Sequence, residues 1–544
     1  MHLAGSTYDE VVNTFRWDVP GPFNIAEAIC DRHAIATPDA PALLIDGGEG
    51  QIATWRFARL QRAANQLANY LRGLGVGRGD IVAIHLAQCA ESPIAHIAVQ
   101  KLGAISLPIF NLFGPDAIRY RLIDSGAKVL ITSAEGHVRI GASREDIATL
   151  EQVLVVGSRE WSAIKSADDQ FINVQTRADD PALLMYTSGT TGNPKGVLHA
   201  ARVLLGHLPG VMVPHNMFPQ PGDRMWTPAD WAWAGGLLDV LWPSLFHGVA
   251  VVGCQRAKFD GEWAFRFMVE HHIRNVFLPP TALRLLRQLP ASSSRPVPQL
   301  RSIGTGGESL GADMIAWGRD TFGVTINEFY GQTECNLVIG NSAGLFPVRA
   351  GSMGRAIPGH IVEIVDAAGN VLPAGTPGIV AVKRPDPVLF LEYWKRPEAT
   401  AEKFRGDWCL LGDVATKDAD GYFWYQGRND DLINSSGYRI GPDEIETSLM
   451  QHDAVQAAGV IGAPDALRGE IVVAFVVPRP GHAASPDLAA ALQAYVKTRL
   501  AAHEYPREII FVESLPTTIT GKLRRIDLRQ LYQAQKSVLT SNGT

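Results

Sequence analysis

The segment YTSGTTGNPKGV, Tyr186 to Val197, brings hydroxyls, glycines and one cation together in twelve residues. Thr187, Ser188, Thr190 and Thr191 supply hydroxyls, Gly189, Gly192 and Gly196 leave backbone N–H groups open to an anion, and Lys195 adds a compensating charge. That chemistry suits phosphate oxygens. It is not the Walker phosphate loop, because Lys195 does not follow directly on Gly192 and no Ser or Thr comes after it. The apolar run Ala182 to Met185 ahead of it reads as a strand feeding a loop. Further along, Glu334, beside Thr333 in QTE, offers the hard oxygen that Mg²⁺ prefers, with the remaining positions left to water and phosphate. GGES (Gly306, Gly307, Glu308, Ser309) and Glu328-Phe329-Tyr330 read as two short walls around a flat purine, Tyr330 offering a ring to stack on. Asp413, read as an acid in a tight turn, can accept from both hydroxyls of a ribose, and Arg428 would reach the same sugar.

These segments occur in an order that resembles the adenylate-forming superfamily of acyl-CoA synthetases, non-ribosomal peptide adenylation domains and luciferases. The matching stretches are YTSGTTGNPKGV, GGES, EFYGQTE, LLGDVA, YQGRNDDLINSSGYRIGPDEIE and PTTITGKLRR, spread over roughly residues 20 to 530. Their wording looks closest to the medium-chain acyl-CoA synthetase branch. The resemblance implies two half-reactions: a carboxylic acid and ATP give an acyl-adenylate and pyrophosphate, and the thiol of coenzyme A (CoA) then takes the acyl group and releases AMP. It implies ATP contacts from the phosphate loop, from Gly307 to Ser309, from Glu328 to Gln332, and from Asp413, Arg428 and Arg439. By the same resemblance Thr333 touches the α-phosphate, Glu334 holds Mg²⁺, and Lys522 is a mobile catalytic lysine placed between two anions as charge gathers. Asp430 is the hinge of a rotating small domain, and Ser436, Gly437 and Tyr438 line the CoA path.

Acetate-specific relatives place Trp directly before QTE, where this chain has Gly331. The missing side chain is expected to open the acyl pocket, whose other side is assigned to Ala229–Trp242, with Trp231, Trp233, Ala234 and Gly235 as lining candidates. That stretch contains no Lys or Arg to receive a second substrate charge. Medium-chain, short branched and aromatic acids all stay open. A stand-alone adenylating enzyme that loads a carrier protein is the alternative function, although the SGYR match at Ser436, Gly437, Tyr438 and Arg439 favours free CoA. A silent nucleotide-binding protein is a further alternative, disfavoured by the joint presence of Lys195, Glu334, Asp413, Arg428 and Lys522.

The elements that must position these residues are legible as short apolar runs, such as Ala42–Ile45, Ile81–Leu86, Lys128–Thr132 and Val153–Gly157, alternating with amphipathic stretches. One helical face carries Leu60, Ala64, Leu67 and Leu71. A length of 544 residues exceeds one core. The expected architecture is α/β: a large N-terminal domain of layered subdomains (1–429) holding the ATP and acyl sites, and a small mobile α+β domain (430–544). A net charge of −6 offers no basic footprint for nucleic acid. The five cysteines lack metal or redox spacing, and no run of eighteen apolar residues could span a membrane. These features fit a cytoplasmic enzyme, as a monomer or homo-oligomer, with small-molecule partners.

Overall fold

Strand Ile81–His85 is buried along its whole length, between parallel neighbours Ile105–Pro108 and Val129–Thr132. A strand covered on both faces must read as an unbroken apolar run, and IVAIH does so apart from its last residue. The computed structural model describes residues 3–48, 51–141, 146–187, 194–256, 259–290, 295–307, 310–428, 431, 433–435, 438–465, 468–500, 505–518 and 521–541. The chain separates into two compact units, one built from Met1–Thr187, Pro194–Val362 and Val382–Cys409, the other from Glu363–Ala381 and Leu410–Thr544.

In the first unit, strand Pro181–Thr187 lies beside Ile105–Pro108 in a seven-stranded sheet. It pairs antiparallel with Lys195–Ala200 in the register Thr187↔Lys195, Tyr186↔Gly196, Met185↔Val197. The phosphate-type loop thus joins two paired strands. Its residues Ser188, Gly189, Thr190, Thr191 and Gly192 lie outside the described residues. Strand Glu392–Tyr393 adds to the far side of Lys195–Ala200. Helix Phe57–Gly73 buries Leu60, Ala64, Leu67 and Leu71 on the face that their spacing predicts.

A nine-stranded sheet in the same unit carries parallel strands Ser302–Gly306 and Ile326–Gln332, the latter returning antiparallel as Asn336–Gly340. Only Thr333, Glu334 and Cys335 separate Gln332 from its partner Asn336, which takes a positive φ of 50°. Asn tolerates that left-handed conformation better than most residues, so it closes the tight turn. The pairing shifts between Tyr330 and Gly331. At this irregularity the backbones approach so closely that a Cβ on Gly331 would stand 1.7 Å from the Asn336 carbonyl oxygen and 2.3 Å from its carbon. The expectation that Gly331 leaves open volume for an acyl chain is therefore corrected. Its missing side chain admits the neighbouring strand.

In the second unit, Tyr438–Ile440, Ile433–Ser435, Gly469–Pro478 and Val455–Asp465 lie in that order in one sheet, with Glu508–Phe511 parallel to Gly469–Pro478. Ile445, Leu449, Leu492 and Val496 from helices Pro442–Met450 and Pro486–Arg499 join one buried cluster, and Leu528 and Tyr532 of helix Arg525–Ser541 join another.

Gly331→Ala is expected to lower stability by about 1–3 kcal/mol, because the strands must separate to admit even one methyl group. Gly331→Trp should cost more. Urea unfolding measures this, and an unchanged midpoint for the Ala variant would show that the hairpin yields without strain.

Candidate active site

The tight turn after Gln332 carries Glu334 from the nine-stranded sheet to the edge of the seven-stranded one. There the Tyr393 hydroxyl donates to Glu334 Oε1, and the Phe390 N–H donates to the Glu334 carbonyl at 2.9 Å. Both side chains are almost sealed from water, Glu334 being 8% and Tyr393 4% exposed. Burying a carboxylate is costly unless it is hydrogen-bonded, and a phenol donating to it offsets part of that cost while fixing its direction. Lys195 Nζ lies 5.3 Å from the centroid of the Tyr393 ring, on the adjacent strand. A carboxylate, a phenol and an ammonium thus meet at the foot of the phosphate-type loop. Among the described residues no group of three or more His, Cys, Asp or Glu gathers to hold a metal. Phosphate and water could supply the other ligands of an ion at Glu334, which is the habit of Mg²⁺ beside a nucleotide.

The two ends of the loop are braced from a helix that the sequence did not mark. Tyr186 OH donates to Asp124 Oδ2 at 2.7 Å, and Arg396 Nη2 donates to Asp124 Oδ1 at 3.0 Å. Tyr120 OH donates to the Pro194 carbonyl at 3.0 Å, and the Trp394 N–H to that of Gly196 at 2.7 Å. Burial first, and then the bond to Asp124, pushes the Tyr186 phenol far above its ordinary value, so it remains a neutral donor. Asp124 and Tyr120 sit on helix Pro115–Ser125 and belong to no recognisable motif, and neither do Tyr393 and Arg396. No sequence signal would have found them.

Along strand Ile326–Gln332, side chains alternate between faces. Phe329 turns into the core: a Cβ on Gly304 or on Gly306 would lie 2.7 Å from its ring, and the ring centroid is 5.4 Å from that of Phe277. Its ring, placed in the purine wall from sequence, is instead core packing, because the glycines of the neighbouring strand leave the space it fills. Glu328, Tyr330 and Gln332 share the opposite face, Tyr330 and Gln332 half-buried. Glu328 is buried and accepts the Leu310 N–H at 3.1 Å; burial pushes its carboxyl from 4.5 up to about 8, that bond offsetting only part. Gly307 holds a φ of +102°, while Glu308 and Ser309 lie outside the described residues.

The acyl candidates divide. Trp231 is fully buried against Gly253, where a Cβ would come within 2.6 Å of the indole, so it is core and not pocket lining. Trp233 and Ala234 are half-buried, and the Trp233 ring stands 5.9 Å from that of Phe277. Gly235 lets Phe277 come close: a Cβ there would lie 2.6 Å from Phe277 Cε1.

In the second unit, Asp413 pairs with Arg428 across strands Trp408–Lys417 and Phe423–Arg428. The reading of Asp413 as a turn residue is corrected: it is a buried strand residue beside Gly412, whose φ is +81°. Tyr438 and Arg439 lie on strand Tyr438–Ile440, while Asp430, Ser436 and Gly437 lie outside the described residues. Lys522 is exposed on a turn closed by the Thr517↔Leu523 bridge, its carbonyl accepting the Thr518 N–H at 2.7 Å and its own N–H donating to Thr518 Oγ1 at 3.0 Å.

The folds and these groups define a nucleotide-dependent activating enzyme. Residues 30–394 match the AMP-binding enzyme family and residues 444–522 the AMP-binding enzyme C-terminal domain, so the chain belongs to the AMP-binding enzymes. It is 34% identical to the uncharacterized acyl-CoA ligase YtcI of Bacillus subtilis, over 91% of this chain and 94% of that one. It is also 34% identical to the human mitochondrial acyl-coenzyme A synthetase ACSM5, over 96% of this chain and 92% of that one. The anthranilate CoA ligase AuaEII, solved with anthranoyl-AMP, superposes with a TM-score of 0.85 at 30% identity, covering 96% of this chain and 99% of its own. This protein is an ATP-dependent acyl-CoA synthetase, an acid-thiol ligase that works through an acyl-adenylate. Among the described residues no helix is long and apolar enough to cross a membrane.

The raised carboxyl of Glu328 makes a pH prediction. Unfolded, the group ionises from 4.5 upward; folded, it keeps its proton to about 8, so unfolding releases a proton between those values and stability falls as pH rises through that window. Glu328→Gln keeps an acceptor for Leu310 and removes the titration. Its stability relative to the parent should climb across the window in denaturant unfolding, and a constant difference would mean that Glu328 ionises normally.

Proposed function

We propose that the acid is a monocarboxylate with an apolar tail of moderate size, medium-chain, short branched or aromatic. The observation that carries this is the half-buried Trp233, its ring 5.9 Å from that of Phe277, with half-buried Ala234 beside it, on a segment, Ala229–Trp242, that contains no Lys or Arg. Its two acids are engaged: Asp230 accepts the N–H groups of Asn111 and Ala232, and Asp239 bonds His207. A second substrate carboxylate would find no counter-charge there. The anthranoyl-AMP complex of AuaEII supports an aromatic acid in this class.

Lys195 and the hydroxyls and N–H groups of residues 187–192 bind the phosphates, Thr333 orients the α-phosphate, and Asp413 and Arg428 hold the ribose. Glu334, directed by Tyr393, would hold a Mg²⁺ ion, which supplies charge neutralisation on the phosphates. Lys522 stands between the attacking carboxylate and the α-phosphate and lowers their repulsion as the new bond forms. The domain of residues 430–544 then swings about Asp430, removes Lys522 and brings Ser436, Gly437 and Tyr438 to the CoA path, with Arg439 contacting phosphate. The enzyme is placed in the cytoplasm.

Lys522→Ala should lower acid-dependent ATP–pyrophosphate exchange by about a hundredfold or more, with thioester formation from supplied acyl-adenylate largely kept. In AMP release across hexanoate, isovalerate, benzoate, acetate and malonate, with and without CoA, the first three should lead and depend on CoA. Malonate as best substrate would overturn the monocarboxylate reading. AMP release indifferent to CoA would favour a carrier-protein acceptor.

A further inference from the structure

A buried ionic nest lies in the second unit at the start of helix Arg525–Ser541. Arg525 donates from Nη2 to both oxygens of Glu446 at 2.8 Å and to Asp443 Oδ1, and from Nε to the Val460 carbonyl at 3.2 Å. Its Nη1 stands 3.5 Å from Asp431 Oδ2, and one helical turn later Arg529 Nη2 donates to Asp431 Oδ1 at 2.9 Å. Glu446 is also fixed by the Val460 N–H at 2.8 Å. The side chains of Arg525, Glu446 and Asp431 are 12%, 12% and 9% exposed. Burial disfavours the guanidinium charge, but Glu446, Asp443 and Asp431 outweigh it and hold its proton more tightly than usual.

The carboxylates come from separate parts of the unit. Asp431 precedes strand Ile433–Ser435, Asp443 and Glu446 belong to helix Pro442–Met450, and Val460 lies on strand Val455–Asp465. The guanidinium joins all three to a helix that begins three residues after Lys522. The lysine turn is pinned close by: the Arg524 N–H donates to the Pro516 carbonyl at 2.9 Å, and Leu523 packs so near Gly459 that a Cβ there would lie 3.0 Å from it. Buried ion pairs often contribute little net stability compared with apolar packing of the same volume. What a planar, five-donor fork supplies that packing does not is a fixed geometry among several carboxylates.

We propose that Arg525 is the positioning residue for Lys522, locking the lysine turn to Asp431 so that a swing of the unit delivers the ammonium to one place. This rests on the roles of Lys522 and Asp430 given above. Electrostatic stabilisation depends on where the charge sits, so a loosened turn weakens adenylation. The thiol step, from which Lys522 is withdrawn, does not use that placement.

The test compares the full-length enzyme with Arg525→Lys, Arg525→Met, Asp431→Asn and Lys522→Ala, measuring ATP–pyrophosphate exchange, thioester formation from supplied acyl-adenylate, and thermal unfolding. Arg525→Lys keeps the charge and loses the fork. It should cut exchange by about tenfold or more while thioester formation stays within about twofold, since small misplacements of a catalytic group cost rates of this order. Asp431→Asn should move exchange the same way and less. Equal loss of both half-reactions in Arg525→Lys would make Arg525 a merely structural residue, and unchanged exchange would show that the turn is held without it; either overturns the proposal. Should Arg525→Met fail to fold, the Lys and Asn variants decide. If Lys522→Ala itself leaves exchange intact, the assignment of Lys522 has failed, and that is visible separately from anything Arg525 does.

Discussion

The hydrogen bond from Tyr393 to Glu334 joins the two sheets of the first unit at the point where the phosphate-type loop begins. Glu334 rides on the turn of the nine-stranded sheet, and Tyr393 forms the edge of the seven-stranded one beside the strand that carries Lys195. A carboxylate this deeply buried is tolerable only with a donor fixed upon it, and the donor is tolerable in the core only with an acceptor. Each satisfies the other. The pair sets the distance between the sheets here, and with it the distance from the carboxylate to the ammonium of Lys195.

The surrounding backbone serves that contact. Gly331 lets the strand Asn336–Gly340 press against its partner, and Asn336 turns the chain in three residues, which puts Glu334 at a tip and not along a strand face. Phe329, filling the space left by Gly304 and Gly306, anchors the same strand in the core while Glu328 and Tyr330 look the other way. On the neighbouring sheet, Asp124 holds Tyr186 and Arg396 at the two sides of the loop's stem. His199, wholly buried on the Lys195 strand, faces the Thr333 carbonyl, and burial keeps its ring neutral with a pKa of about 3 despite that carbonyl.

Much of this was legible in the sequence, and the boundary has physical causes. Continuous apolar runs gave the buried strands, and a 3.6-residue spacing gave the helix of Leu60 and Leu71, because burial alone dictates those patterns. The ordered motifs gave the family, and through that resemblance the acyl-CoA synthetase activity. Positions whose meaning is set by a distant partner were not legible. Gly331 read as an empty pocket because the strand that fills the space is known only from the pairing. Trp231 and Trp233 read alike two residues apart, yet one is core and the other half-buried. Asp413 read as a turn because Gly412 precedes it. Tyr393 and Asp124 carry no local mark at all, their roles arising from partners 59 and 62 residues away.

The central claim is that a buried phenol directs the carboxylate that would hold Mg²⁺. It is tested most directly by the Mg²⁺ concentration needed for half-maximal acyl-adenylate formation in Tyr393→Phe, which removes one oxygen and keeps the ring. A hydrogen bond to a charged group contributes about 1.5–3 kcal/mol, so that concentration should rise about tenfold or more. An unchanged Mg²⁺ dependence in a folded Tyr393→Phe enzyme would contradict it.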